Sequence, residues 1–321
     1  MTARIAIVII GRNEGDRLIA CLASIPKGMG EVIYVDSGST DGSVDAAKAA
    51  GAKVVDLDIS IPFTAARARN EGVAAIEEPH AYVQFIDGDC TLQPDWLDKA
   101  AQFLEQTPKA GVVCGRLREK FPEKSLYNRI CDIEWALRPG TLITCGGIAM
   151  MRLEMFREAG GFLPGLIAGE EPELCARLRK AGWEIWCIPE EMGMHDAAMV
   201  RFGQYWKRSR RGGYAYAIGA SLHGAAPERL WVSRIIKALI WGLAIPLVIV
   251  LAVWVFGPAA LGLALIYPVQ VARMALRQGG DGFAWRYAGL MMVGKFSETV
   301  GVLDFVQKTL RGQQARIIEY K

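Results

Sequence analysis

Residues 238–272 contain no Asp, Glu, Lys, Arg or His. A membrane-spanning helix needs about 20 apolar residues, and this run has 35, with Gly257-Pro258 near its middle. Extended to residues 235–274, it fits two helices joined by a tight turn, at 235–256 and 258–274. The second is short and contains Pro268 and Gln270. Arg229, Arg234 and Lys237 precede the pair, Arg273 and Arg277 follow it, and the connecting turn is uncharged. The positive-inside rule then puts both flanks in the cytoplasm. The sequence therefore predicts a multi-pass protein of the inner (cytoplasmic) membrane whose main body faces the cytosol. Residues 283–310 are apolar in patches but interrupted by Lys295, Glu298 and Asp304. They are expected to form an amphipathic helix in the interface, or else a third span that carries its charges at a cost in stability. The polar, basic tail at 311–321 is expected to be cytosolic.

The mean hydropathy of the chain, +0.19, is high for a soluble enzyme, and most of the excess lies in this one segment. The expected organisation is a soluble domain at 1–228 and a membrane region at 229–321. A net charge of +3, from 37 basic and 34 acidic residues, is too near neutral for a dedicated nucleic-acid binder. No secretory leader is expected, because Arg4 is followed by only the apolar residues 5–10 before Gly11-Arg12-Asn13. The seven cysteines are scattered without a C-x-x-C pair, which argues against a zinc site or redox pair. Their odd number does not suit a disulfide framework, and a reducing cytosol fits better.

Before the apolar segment, short runs rich in β-branched and aromatic residues (5–10, 31–35, 53–57, 82–86) alternate with helix-forming stretches (15–24, 43–50, 65–77). Strands separated by helices imply an α/β fold with a mostly parallel sheet covered on both faces. Ligands bind such sheets beyond the carboxyl ends of the strands. There the sequence places Gly11-Arg12-Asn13-Glu14-Gly15, Asp36-Ser37-Gly38-Ser39-Thr40-Asp41-Gly42 and Asp87-Gly88-Asp89. Two carboxylates at i and i+2 after a buried run suit a hard cation such as Mg²⁺ or Mn²⁺, often shared with substrate phosphates. No Gly-x-Gly-x-x-Gly follows the first run, which sets aside a dinucleotide-binding dehydrogenase.

These segments, in this order, resemble the family 2 glycosyltransferases, inverting enzymes of the GT-A fold that use nucleotide-diphospho sugars. The resemblance extends over roughly residues 5–220. It rests on the Asn13-Glu14 turn, the segment from Val35 to Gly42, Ala68-Arg69-Asn70-Glu71-Gly72, the D-x-D at Asp87-Gly88-Asp89, and Gly169-Glu170-Glu171-Pro172-Glu173-Leu174. It implies that Asn13, Glu14 and Asp36 contact the nucleoside and that Arg69 and Asn70 help fix the nucleotide. It further implies that Asp89 is the main metal ligand, with Asp87 supporting ribose or metal. Glu171 occupies the position of the catalytic base, where the family usually has Asp, and Glu170 is its rival. His195, by resemblance to some GT-A enzymes, would complete the metal site.

The basic run Lys207-Arg208-Ser209-Arg210-Arg211 admits two readings. It could form a face toward anionic lipid head groups, or Arg208, Arg210 and Arg211 could clamp a pyrophosphate in the donor or in a lipid-linked acceptor. The Gln-x-x-Arg-Trp motif of processive family members is absent. The expected activity is thus metal-dependent transfer of a sugar to a membrane-associated acceptor, such as a lipid-linked saccharide in cell-surface polysaccharide or glycolipid assembly. A polyprenyl phosphate acceptor is the alternative, and a non-catalytic membrane scaffold keeping the fold is the alternative of a different class.

Overall fold

The computed structural model describes residues 5–77 and 79–312, so most of the predicted polar tail, 313–321, lies outside the described residues. The chain divides into two compact units. One comprises Met1–Glu123 with Cys131–Ala198, and the other Lys124–Ile130 with Met199–Lys321.

In the first unit the four apolar runs are strands: β1 (Ile5–Gly11), β2 (Val32–Asp36), β3 (Lys53–Asp56) and β4 (Tyr82–Asp87). They pair in parallel in the order β3-β2-β1-β4. The helices between them are α1 (Asp16–Ala23), α2 (Ser43–Ala49) and α3 (Ala65–Ala74). Ile5 to Ile10 are all buried, as expected of an inner strand covered on both faces. The hydroxyl of Thr64 caps α3 by accepting from the Arg67 amide. The helix lies so close to the sheet that a Cβ on Gly72 would sit 2.3 Å from Val8 Cγ1.

The other half of the sheet is built from β5 (Cys90–Leu92), β6 (Ala110–Glu119), β7 (Gly140–Leu142), β8 (Ala149–Arg152) and β9 (Glu184–His195). The helices that follow are α4 (Trp96–Gln106), α5 (Leu126–Trp135), whose first residues, Leu126–Ile130, belong to the second unit, α6 (Leu153–Glu158) and α7 (Glu170–Lys180). The full order is β3-β2-β1-β4-β8-β6-β9-β5, with β7 also on β9. Strand β8 runs antiparallel between β4 and β6, so the sheet is mixed beyond β4. Strand β9 runs on to His195, because it keeps pairing with β6 through bulges and pairs with β5 at its end.

The second unit is helical: α8 (Phe202–His223), α9 (Val232–Leu239), α10 (Ile245–Phe256), α11 (Ile266–Arg277) and α12 (Gly282–Leu310). The two segments predicted to be spanning helices are Val232–Phe256 and Pro258–Arg277, both long and apolar enough to cross a membrane. Only 6% of each apolar window is buried against the protein, the opposite of a soluble core helix. A π turn at Ile240–Ala244 precedes Pro246, which has no N–H to return to the preceding turn.

Residues 283–310 fall in one 29-residue helix, α12, with a buried face of small residues, including Ala284, Ala288, Gly294, Ser297 and Gly301. Tyr205 Oη and Ser297 Oγ donate across the α8–α12 contact to Leu290 O and Trp206 O, at 2.7 and 2.6 Å. The charges that interrupt the apolar pattern are paired, Lys295 with Glu298 and Asp304 with Arg210, both at 2.5 Å. A Cβ on Gly301 would stand 2.0 Å from Arg210 O, and one on Gly213 1.9 Å from Glu298 O. Gly301→Val should therefore force the two backbones apart and destabilise this unit by about 1–3 kcal/mol or more. A lowered melting temperature of the detergent-solubilised protein would show it, and an unchanged one would mean that the helices do not meet through their glycines.

Candidate active site

Register sets the geometry of the sheet edge. Gly11 pairs with Asp36 and Ile10 with Asp87, so the polar segments after β1, β2 and β4 emerge side by side. Asp36 turns back on its own loop. Its Oδ2 accepts from the amides of Gly38 and Ser39 at 2.9 and 2.7 Å, and its Oδ1 from Tyr34 Oη at 3.0 Å. Asn13, with a positive φ of 54°, ties the first loop to the second: its Oδ1 accepts from Thr40 N at 2.7 Å, and its own N–H donates to Ser39 Oγ. Glu14 pairs with Arg17 at 2.6 Å. Between the loops after β2 and β3 lies a cavity of about 220 Å³ lined by Arg12, Ser37, Gly38, Asp58, Ile59 and Phe63 among others.

Arg69 is the hub on the α3 side. It is only 3% exposed. Its Nη2 donates to Asp87 Oδ1 and its Nη1 to Glu170 Oε1, both at 2.8 Å. Burial works against its charge, but Asp87 and Glu170 outweigh that and hold its pKa above the ordinary value. The guanidinium also lies 5.7 Å from the ring centroid of Phe162. Neighbouring Asn70 reaches across to the chain at Phe162. Its side-chain amide is spent on the backbone of Phe162, donating to the carbonyl at 2.7 Å and accepting from the amide at 3.0 Å.

Asp89 and His195, 106 residues apart in sequence, are brought together where β5 pairs with β9, since Cys90 is the register partner of His195. Asp89 Oδ2 lies 3.2 Å from His195 Nε2, and the Cys90 thiol donates to Asp89 Oδ1 at 3.4 Å. The His195 ring stacks on Trp135, with centroids 4.3 Å apart and planes 10° off parallel. Asp89, Cys90 and His195 together could hold a metal ion. The hard carboxylate and the imidazole nitrogen suit Mn²⁺ well, and Mg²⁺ through its oxygen ligands. Asp87 is two residues away, its side chain a third exposed and oriented by Arg69. Of the three residues expected to bind metal, the structure brings Asp89 and His195 into contact, and Asp87 lies two residues from Asp89.

The acidic pair at the start of α7 splits in two directions. Glu170 faces Arg69. Glu171 is buried at 5% exposure and faces the core, where its Oε1 accepts from the Cys145 amide at 2.6 Å and from the thiols of Cys145 and Cys175 at 3.1 and 2.9 Å. Burial raises the Glu171 pKa, and these donors pull against it. The sequence gives no signal for the thiols around Glu171 or for Trp135 behind His195. On α8, in the helical unit, Arg210 is committed to Asp304, while Arg208 and Arg211 lie on the same helix.

Residues 6–160 match the family described as Glycosyl transferase family 2. Glycosyltransferase AglE of Haloferax volcanii is 25% identical over 222 residues, 65% of this chain and 71% of that protein. Succinoglycan biosynthesis protein ExoA of Rhizobium meliloti is 26% identical over 196 residues, 56% of this chain and 59% of that one. Among solved structures, the mannosyltransferase PcManGT from Pyrobaculum calidifontis, in complex with GDP-Man and Mn²⁺, superposes with a TM-score of 0.62 at 20% identity, covering 94% of this chain and 88% of that one.

Proposed function

The chain belongs to the family 2 glycosyltransferases, with a GT-A fold, and on that premise we propose that it transfers a sugar from a nucleotide-diphospho-sugar to a membrane-associated acceptor with the help of a divalent cation. The observation that carries the proposal is the contact of Asp89 with His195 beside the Asp87–Arg69–Glu170 chain. A divalent cation held by Asp89 and His195, with Asp87 in support, would neutralise charge on the departing diphosphate. The GDP-Man and Mn²⁺ bound by PcManGT support this choice of donor class and metal.

In the proposed reaction Glu170 takes the proton of the acceptor hydroxyl as that oxygen attacks the anomeric carbon from the face opposite the diphosphate. Arg69 holds Glu170 through Nη1 and at the same time orients Asp87 through Nη2, both at 2.8 Å. Glu171 is buried, with its Oε1 accepting from the Cys145 amide and two thiols, which supports Glu170 as the base in place of Glu171. Asp36, Asn13 and Glu14 are proposed to shape the nucleoside end, and Asn70 to act through the Phe162 backbone it grips.

The exposed apolar helices Val232–Phe256 and Pro258–Arg277 support an acceptor dissolved in or attached to a membrane. The flanking Arg229, Arg234, Arg273 and Arg277 support a cytosolic catalytic side. Arg208 and Arg211 would then face lipid or acceptor phosphate.

The direct test is purified protein in detergent, screened against nucleotide sugars with a membrane lipid extract, following both nucleoside diphosphate release and lipid product. The proposal expects one donor to yield both. A sugar transferred only to a water-soluble acceptor, with no lipid product from any donor, would overturn the acceptor assignment.

A further inference from the structure

Glu170 and Glu171 open α7 behind Gly169, whose positive φ of 82° turns the chain into the helix. Adjacent positions on a helix point about 100° apart, so fixing one side chain fixes the facing of the other. Glu171 is fixed unusually well. Cys175 lies one turn along the same face, and Cys145 arrives from the loop between β7 and β8. The two sulfurs are 3.9 Å apart and both donate to the same Glu171 oxygen, alongside the Cys145 amide. Hydrogen bonding to Cys175, together with burial, holds the Cys145 thiol well above its usual pKa, and burial pushes Cys175 up to about 11. Both thiols therefore keep the protons they donate. The loop that brings Cys145 continues through Gly146 to Gly147, where an added Cβ would lie 2.7 Å from Arg69 Nη2. One short segment thus touches Glu171 with its cysteine and backs Arg69 with its glycine.

We infer that Cys145 and Cys175 are positioning residues for transfer: by clamping Glu171 into the core they present Glu170 to Arg69 and seat the Cys145–Gly147 loop behind the guanidinium. The inference rests on the proposed role of Glu170 and extends it to a pair of thiols outside the cleft. Neither cysteine touches the reacting atoms. They act through the first turn of α7 and through the loop.

The clamp needs donors at these positions rather than sulfur as such, so serine should replace cysteine where alanine cannot. The test compares C145A/C175A with C145S/C175S, reading kcat, donor dissociation constant and melting temperature, with the single C175A and C175S variants as a second pair should the double alanine variant fold poorly. The alanine pair should lose about tenfold or more in kcat while donor affinity stays within about threefold, and the serine pair should recover most of the loss. The inference is overturned if the alanine variants turn over within about twofold of the parent, or if the serine variants are as slow as alanine at matched melting temperature. E170Q, measured in parallel, separates the two claims. Retained turnover in E170Q sinks the base assignment, whereas an inactive E170Q beside fully active alanine variants sinks the thiol clamp.

Discussion

Asp89→Ala should reduce kcat/KM for donor turnover by about 10³-fold or more, equivalent to about 4 kcal/mol of transition-state stabilisation. The carboxylate is buried, its Oδ2 is 3.2 Å from His195, and its backbone carbonyl accepts from the Asp196 amide at 3.1 Å. The variant therefore removes the proposed metal ligand from a site whose frame is held by the β5–β9 pairing, not by the side chain itself. Folding should survive, and an unchanged circular dichroism spectrum and melting temperature would confirm that. His195→Ala should be milder, about 10–100-fold, and should appear mainly as a higher metal requirement. Imidazole also favours Mn²⁺ over Mg²⁺, so this variant should narrow any preference for Mn²⁺. Nucleoside diphosphate release measured across Mn²⁺ and Mg²⁺ titrations, after removal of metal with a chelator, reads all three effects. Near-parental turnover by Asp89→Ala at low metal would remove Asp89 from the metal site.

The parts of this site that are legible in the sequence are those set by position at a strand end. A buried apolar run followed by Asp must present that Asp at the sheet edge, and Asp36 and Asp87 are both there, in register with β1. Likewise a charge-free run long enough for two helices leaves little choice, and both helices are present with their apolar surfaces bare. What escapes sequence is direction and long-range pairing. Adjacent glutamates at a helix start are indistinguishable by spacing, yet one meets Arg69 and the other meets two thiols. Trp135 and His195 have no shared pattern, although their rings stack. Asn70 sits in a nucleotide-binding motif while its amide serves the Phe162 backbone. In α12 Lys295 and Glu298 neutralise each other one turn apart on the same helix, whereas the partner of Asp304, Arg210, is revealed only by the α8–α12 crossing. The short strands β5, β7 and β8 carry too few residues for an alternating pattern to register.

The remaining large effect concerns the acidic pair, where the proposed base, Glu170, is not the residue at the position the family resemblance assigns. Glu170→Gln should keep donor binding and lose about 10²–10⁴-fold in kcat, the usual contribution of a positioned general base. The amide can still accept from Arg69 through its oxygen, so the 2.8 Å contact and the orientation of Asp87 can persist while the proton acceptor is gone. Glu171→Gln should behave differently. Its amide oxygen can still receive the Cys145 amide and both thiols, and the side chain is buried among them, so kcat should fall by less than about tenfold. The ranking of the two variants is the decisive quantity, because it is insensitive to the donor and acceptor used, provided both are saturating. A larger loss in Glu171→Gln than in Glu170→Gln, with donor affinity unchanged in both, would require Glu171 to leave its thiol cage during turnover, and would return the base to the position the family resemblance assigns.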